Sequence, residues 1–173
     1  YLKVAQEEHD RFAETLRANG VEVVYYVEET AKALKTKEIQ SQLVDEFLTL
    51  SRITSEGMRY NLTNYLINME PADMVTKLIG GIKKNEIPSD EIRSLVDLIH
   101  DDYPYISDPM PNLYFTRDPG ACIGEGINIH HMHTRERMRE SLLLKYMYKY
   151  NRDFSTEEND QWYDVYDDYS IEG

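Results

Sequence analysis

The most informative stretch of the sequence runs from Asp108 to Pro119 and reads DPMPNLYFTRDP. Pro104, Pro109 and Pro111 each bias the preceding residue away from helix, so the segment from Asp101 to Asn112 is predicted to be an extended loop. The second half, Leu113 to Thr116, is predicted to be a short strand. Loop and strand would deliver Asn112, Arg117 and Asp118 near a strand end, where α/β folds commonly build their sites. Composition alone favours the simpler alternative, in which Arg117 and Asp118 are ordinary surface charges.

The sequence before this stretch begins with one helix and one strand. A helix is predicted at the start because five residues share one face at three- and four-residue spacing, namely Ala5, His9, Phe12, Ala13 and Leu16. Asn19 and Gly20 form a stop signal. The β-branched and aromatic run from Val21 to Val27 predicts a strand, which with the helix makes half of an α/β unit.

From Glu28 to about His100 the pattern predicts one helix after another, with no strand signal. These helices are predicted over Glu38–Leu50, from Ser55 to about Asn68, from Pro71 to Ile79, and after Ser89. Beyond the central stretch, Ala121 to Ile129 is predicted to be a strand in which Gly124 and Gly126 mark a bulge or a close backbone approach. A helix is predicted over Thr134–Tyr150, and a strand near the end, after a loop that reaches Val165.

The composition excludes several functional classes. The chain has 173 residues and carries 19 Lys and Arg against 32 Asp and Glu, a net charge of −13. This charge repels phosphates and anionic lipids, so we expect no nucleic-acid and no membrane partner. No apolar run approaches the ~20 residues of a membrane helix, and a cytoplasmic protein is expected.

The cysteine and histidine residues do not predict a metal site. Cys122 is the only cysteine, which excludes an internal disulfide and a cysteine-only zinc site, and we interpret it as a buried small hydrophobic residue. In a strand, His131 and His133 would share one face and His130 would point away, which leaves two imidazoles without a third ligand. We therefore expect no metal.

Along nearly its whole length the sequence resembles the arginine deiminases. The resemblance rests on the stretch already quoted, on the letters RMRE at Arg137–Glu140, and on the closing letters SIEG at Ser170–Gly173. It implies an α/β fold that is part of a five-bladed α/β-propeller of ββαβ units, with an all-helical insertion. By this resemblance, residues 1–27 and 101–173 belong to the propeller, residues 28–100 form the insertion, and the chain is truncated at both ends.

The resemblance also implies a reaction, the hydrolysis of L-arginine to L-citrulline and ammonia through a covalent amidino-cysteine intermediate. A guanidinium is planar and always charged, so attack on its carbon requires carboxylates that hold its N–H edges. By resemblance, Asp118 is one such clamp, Glu172 is a second active-site carboxylate, and Asn112 and Arg137 hold the amino-acid end of the substrate. Phe115 is expected either to lie against the guanidinium plane or to be a buried strand residue.

The nucleophilic cysteine and the catalytic histidine of the family lie, by the same resemblance, beyond Gly173. Two hypotheses follow. In the first, the chain is a segment of an arginine deiminase that is inactive alone, binds L-arginine without a cofactor, and belongs to a homo-oligomer. In the second, it is a truncated, non-catalytic homologue that binds a partner, for example another copy of itself, through unpaired blade edges.

Overall fold

The computed structural model of the protein describes residues 1–87, 103–154 and 161–171. Within these ranges it is a mixed α/β fold. The helices are α1 (Leu2–Ala18), α2 (Tyr26–Ala33), α3 (Lys37–Leu50), α4 (Glu56–Ile67), α5 (Pro71–Gly80) and α6 (Met138–Tyr150). The strands are β1 (Ile82–Lys83), β2 (Tyr105–Ser107), β3 (Gly120–Ile123), β4 (Gly126–Ile129) and β5 (Gln161–Tyr163). No helix in these ranges is both long and apolar enough to cross a membrane.

The first helix forms as predicted, but most of its apolar face is exposed. Helix α1 is followed by Asn19 and by Gly20, whose φ of 79° is the left-handed conformation that glycine adopts cheaply. Ala13 is the residue of α1 that is buried, whereas the side chain of Phe12 is 63% exposed. The helix therefore presents an uncovered apolar surface among the described residues.

The predicted strand over Val21–Val27 is wrong. Residues 21–25 have no regular structure, and α2 begins at Tyr26, after an extended Tyr25 with φ −105° and ψ 132°. A strand requires a neighbour to bond its backbone, and within the described ranges no strand pairs with this segment. Glu28 and Glu29 favour the helix because acidic side chains in the first turn interact well with its N-terminus.

The helices predicted within residues 38–80 are confirmed. Their starts are fixed by capping side chains, since Thr36 accepts from the Ile39 N–H and Ser55 accepts from the Met58 N–H. Their apolar faces meet α6 in one buried cluster, which includes Leu43, Val44, Phe47, Leu62, Leu66, Met74, Leu78, Leu142 and Tyr146. The helix predicted after Ser89 lies outside the described residues.

Two short strands interrupt the pattern that the sequence predicts. Strand β1 lies in the region predicted to be all helical, and it pairs antiparallel with β2, which lies in the region predicted to be loop. Gly81 precedes β1 with a φ of 82°, and a Cβ there would lie 2.8 Å from Pro109 N and 2.9 Å from Ser107 O. Because Gly81 has no side chain, the backbone can approach closely enough for this short pair of strands to form. The sequence does not predict β1 because a strand of two residues gives almost no periodic signal.

The remaining strands form a sheet in the order β3-β4-β5. The single strand predicted over Ala121–Ile129 is two antiparallel strands, because Gly124, with a φ of 59°, turns the chain between them. Strand β5 then pairs parallel with β4. Residues 166–171, the described part of the region where a strand is predicted near the end, form no strand. Strand β5 lies before Val165, which is fully buried in a second apolar cluster with Ile127, Ile129, Met132 and Met138.

Candidate active site

Asp118 lies at the point where the chain enters β3. The strand predicted over Leu113–Thr116 is wrong, because residues Pro111–Tyr114 form a 3₁₀ turn with the proline at its start, where its fixed φ suits a helical turn. A second turn follows, in which the Asp118 N–H donates to Phe115 O at 3.0 Å. The carboxylate of Asp118 is therefore carried by a tight corner and not by a strand end.

Arg137 is brought to Asp118 from the other side of the hairpin. The helix predicted over Thr134–Tyr150 is confirmed, with a 3₁₀ turn over Arg135–Arg137 at its start. From the end of this turn, the Nη2 atom of Arg137 reaches Asp118 Oδ2 at 2.9 Å. The two side chains are 13% and 22% exposed, so the ion pair lies close to the surface but is largely shielded from water.

Glu140 completes the group on the first turn of α6. Its Oε2 atom lies 2.9 Å from Arg137 Nη2 and 3.2 Å from Arg137 Nε, and its side chain is 2% exposed. Sequence reasoning did not assign Glu140 a role at the site. The signal that could have found it is the three-residue spacing from Arg137, which places both side chains on one helical face.

Tyr26 anchors the start of α6 from the opposite helix. Its hydroxyl donates to the main-chain oxygen of Glu140 at 3.2 Å. Burial, and next the negative charge of Glu140, raise the pKa of the Tyr26 hydroxyl well above its usual range. Helix α2 thus holds the turn that carries the Arg137–Glu140 pair.

Arg139 fixes the loop that leads to the candidate site. Its Nη1 atom donates to Ser107 Oγ at 3.0 Å and to Asp108 O at 2.8 Å, and its guanidinium lies 5.6 Å from the ring centre of Phe47. Burial lowers the pKa of this guanidinium from its usual value. The proline-rich loop is therefore tied both to α6 and to the helical core.

Asn112 lies in the 3₁₀ turn before the corner that carries Asp118, and Phe115 connects the two turns. Both residues are exposed, and the Phe115 N–H donates to Asn112 O at 2.9 Å. The alternative that Phe115 is a buried strand residue is wrong, because it lies outside any strand and is 55% exposed. Its ring packs edge-on against Tyr114, with the ring centres 5.5 Å apart.

Two further predictions concern Cys122 and Glu172. Cys122 is exposed, so its interpretation as a buried hydrophobic residue is wrong. The reason is that β3 is the edge strand of its sheet among the described residues, and its last two residues are uncovered. Glu172, predicted to be the second active-site carboxylate, lies outside the described residues.

The three neighbouring histidines follow β4, beyond the strand predicted to end at Ile129, and do not lie in a strand, so the argument from shared strand faces does not apply to them. His130 is buried, and its Nδ1 atom lies 2.7 Å from the main-chain oxygen of Asp118. Across residues 1–87, 103–154 and 161–171 no three His, Cys, Asp or Glu side chains are grouped closely enough to hold a metal ion.

A cavity of about 840 Å³ lies beside the candidate site, between α1, residues 23–28 and the turn after Met110. Its lining is mostly apolar and includes Phe12, Val24 and Tyr114, but neither Asp118 nor Arg137. The cavity is therefore a separate feature of the surface that α1 leaves uncovered.

A protein-family model described as arginine deiminase matches residues 1–173, the whole chain. The chain belongs to the arginine deiminase family. A relative named arginine deiminase in Staphylococcus haemolyticus (strain JCSC1435) is 42% identical over 175 residues. Another in Limosilactobacillus reuteri (strain DSM 20016) is 42% identical over 174 residues. A third, named arginine deiminase 1, in Staphylococcus epidermidis (strain ATCC 12228 / FDA PCI 1200), is 41% identical over 173 residues.

Each of these arginine deiminase alignments covers 100% of this chain but 42% of the relative. The chain therefore spans about two-fifths of the length of the family members it matches. Membership in this family confirms the resemblance that the stretch from Asp108 to Pro119 indicates. It favours the hypothesis of an enzyme segment over that of a non-catalytic homologue.

Proposed function

We propose that the chain is the part of an arginine deiminase that holds both ends of L-arginine, in an enzyme that hydrolyses it to L-citrulline and ammonia. The observation that carries the proposal is the contact of Arg137 with Asp118 at 2.9 Å, beside a buried Glu140. Two residues that the family resemblance assigns to opposite ends of the substrate are thereby neighbours in space.

The charge of this group suits a guanidinium ligand. Asp118 and Glu140 together carry two negative charges and Arg137 carries one positive charge, so the group has one negative charge in excess. In a partly shielded site, an uncompensated carboxylate attracts a cation more strongly than it would in water. A planar guanidinium can also donate two parallel hydrogen bonds to one carboxylate, which fixes its orientation.

Substrate binding on this proposal is an exchange of partners. The guanidinium of L-arginine takes the place of Arg137 on Asp118, and the substrate carboxylate takes the place of Asp118 on Arg137. Glu140 stays with Arg137 throughout, because its side chain is almost fully buried. One ion pair, between Arg137 and Asp118, breaks and two form with the substrate, so the exchange leaves no buried charge unpaired.

The chemical step requires a cysteine thiolate, which forms a C–S bond to the guanidinium carbon, and a general acid, for which the resemblance offers the histidine beyond Gly173. This acid protonates one nitrogen, so that a C–N bond breaks and ammonia leaves. Water then attacks the amidino carbon, gives a proton back to the same group, and breaks the C–S bond, which releases L-citrulline and restores the thiolate. We propose that this nucleophile lies outside the 173 residues, since Cys122 lies on the exposed edge strand. Asp118 contributes by holding the carbon in line with the thiolate, and the reaction needs no cofactor.

Three further assignments belong to the same proposal. Asn112 helps to hold the amino-acid end of the substrate, and Glu172 supplies a second carboxylate. Phe115 lies against the guanidinium plane, which its exposed ring is free to reach as a cation–π contact.

We also propose that the fold is part of a five-bladed α/β-propeller, with residues 1–27 and 101–173 in the propeller and 28–100 as its helical insertion. The support is the extended backbone at Tyr25 and the exposed apolar face of α1, both of which further strands could cover. Self-association into a homo-oligomer and a cytoplasmic location remain predictions.

The proposal is tested with the polypeptide of the complete reading frame and, separately, with the 173-residue chain. We expect the complete polypeptide to release citrulline and ammonia in equal amounts from L-arginine, and the 173-residue chain to release none. Asp118→Asn should abolish most of the activity, while Asp10→Asn, at an exposed position on α1, should not. Absence of citrulline from the folded complete polypeptide would contradict the proposal and favour a non-catalytic homologue.

A further inference from the structure

The corner that carries Asp118 is held by one buried histidine. His130 is 4% exposed, and it contacts two successive main-chain carbonyls of the corner. The main-chain N–H of His130 donates to Pro119 O at 2.9 Å, and the imidazole Nδ1 atom lies 2.7 Å from Asp118 O. A single residue at the end of β4 thus fixes both peptide units that flank the start of β3.

The imidazole contact has a defined direction. A main-chain carbonyl can only accept a hydrogen bond, so Nδ1 must carry a proton and donate it to Asp118 O. Pro119 has no N–H and restricts the backbone of Asp118 to extended conformations. Pro119 therefore limits the backbone conformation of Asp118, and the imidazole fixes the orientation of the Asp118 carbonyl.

The orientation of this carbonyl controls the position of the carboxylate. The Asp118 side chain leaves the Cα atom next to this carbonyl, so a displacement of the corner that moves this Cα atom also moves Oδ2 relative to Arg137 Nη2. In the ligand-free structure Arg137 is held separately by Glu140 and by the start of α6, so the displacement changes the distance between the two side chains. The 2.9 Å contact between Asp118 and Arg137 thus depends on the position of the corner, and the corner is held by His130.

We propose that His130 is a positioning residue, which sets the Asp118 carboxylate for the guanidinium through the Asp118 main-chain oxygen. The inference rests on the proposed function for its catalytic consequence, but its geometric consequence is independent of any activity. His130 does not touch the substrate in this account. It acts by holding in place the main chain of Asp118, the residue that does.

The test uses the complete polypeptide with His130→Asn, His130→Gln and His130→Leu, and Tyr60→Leu as the control, because Tyr60 lies on α4 and is 70% exposed. Asparagine places a nitrogen donor at the position of Nδ1, whereas leucine has none and glutamine carries its donor one bond farther out. We expect His130→Leu to lower kcat/KM on the order of a hundredfold per folded molecule, since a misplacement of about 1 Å has that effect. His130→Asn and Tyr60→Leu should stay near the wild type.

The distance between Asp118 Oδ2 and Arg137 Nη2 in crystal structures of the variants gives a second readout. We expect it to lengthen in His130→Leu and His130→Gln and to be kept in His130→Asn. If His130→Leu fails to fold, the same distance in His130→Asn and in His130→Gln tests the inference. An unchanged distance, or a lower melting temperature with full kcat/KM, would overturn the inference. If the wild type lacks arginine hydrolysis, the proposed function fails, while the distance still decides the role of His130.

Discussion

The Nη2 atom of Arg137 lies 2.9 Å from Asp118 Oδ2 and also 2.9 Å from Glu140 Oε2. The two carboxylates differ in exposure, since the Glu140 side chain is 2% exposed and the Asp118 side chain is 22% exposed. Glu140 is therefore the permanent partner of Arg137, and Asp118 is the partner that a ligand can replace.

This difference predicts how the group contributes to stability. Arg137→Leu leaves Glu140 buried without its counter-charge, so we expect the free energy of unfolding to fall by about 3–5 kcal/mol. The double substitution Arg137→Leu with Glu140→Leu removes both charges and should recover most of that loss. Denaturant unfolding of the single and double variants measures both values.

Arg117→Leu is the matched control, because Arg117 is exposed and next to Asp118 in sequence. Its effect should stay within about 0.5 kcal/mol. A double variant as unstable as Arg137→Leu would show that Glu140 is not held by Arg137 in the way described here.

A second prediction concerns two tyrosines that share one carboxylate. Tyr146 donates to Glu46 Oε1 at 2.8 Å and Tyr166 donates to Glu46 Oε2 at 2.5 Å. Burial, and next the hydrogen bond to Glu46, raise the pKa of both hydroxyls well above their usual range. The folded protein thus keeps these protons at a pH where the unfolded chain loses them.

The sign of the pH dependence follows from this difference. The stabilising contribution is complete below about pH 10, the pKa of an unperturbed tyrosine, and decreases as the pH rises above it. We expect the free energy of unfolding to decrease between about pH 10 and 12, and less steeply in Tyr146→Phe. The control is Tyr60→Phe, because Tyr60 is 70% exposed. Equal slopes in the wild type and Tyr146→Phe would contradict the assignment.

A third prediction compares two glycines that have a positive φ. A Cβ at Gly81 would lie within 2.9 Å of both Pro109 N and Ser107 O, whereas a Cβ at Gly124 would meet nothing within 4 Å. Gly124→Ala should therefore cost about 1–2 kcal/mol, the backbone term alone. Gly81→Ala should cost clearly more, since main-chain atoms of the Ser107–Pro109 loop must also move. Equal losses in thermal unfolding would show that the loop does not pack closely against Gly81.

The elements that the sequence predicts well are those with a local signal. Helices α3 to α5 combine an apolar stripe with a capping residue or a proline at the start, and α6 has the apolar stripe alone, so adjacent residues are sufficient to specify them. The end of α1 at Gly20 is likewise specified by adjacent residues. The strand predicted at Val21–Val27 fails because a strand depends on a partner, and the partner is not a property of the segment itself. Strands β1 and β5 are too short for any periodicity.

The candidate site shows the same limit. Asp118 and Arg137 are singled out by family resemblance, and the structure adds that they touch. Glu140 and His130 contact them through an ion pair and a main-chain hydrogen bond, and neither contact follows from residue type. The burial of Cys122 was predicted from the usual behaviour of a free cysteine, and it fails because the hairpin places this residue on an exposed edge.

The measurement that tests the account most directly is kcat/KM of the complete polypeptide for L-arginine and for L-argininamide, which has no carboxylate. Asp118→Asn should lower kcat/KM for both substrates about equally, on the order of a thousandfold or about 4 kcal/mol, because both carry the guanidinium. Arg137→Lys should lower it for L-arginine and much less for L-argininamide, mainly by raising KM. The account is contradicted if Asp118→Asn keeps its activity per folded molecule, or if Arg137→Lys affects both substrates equally.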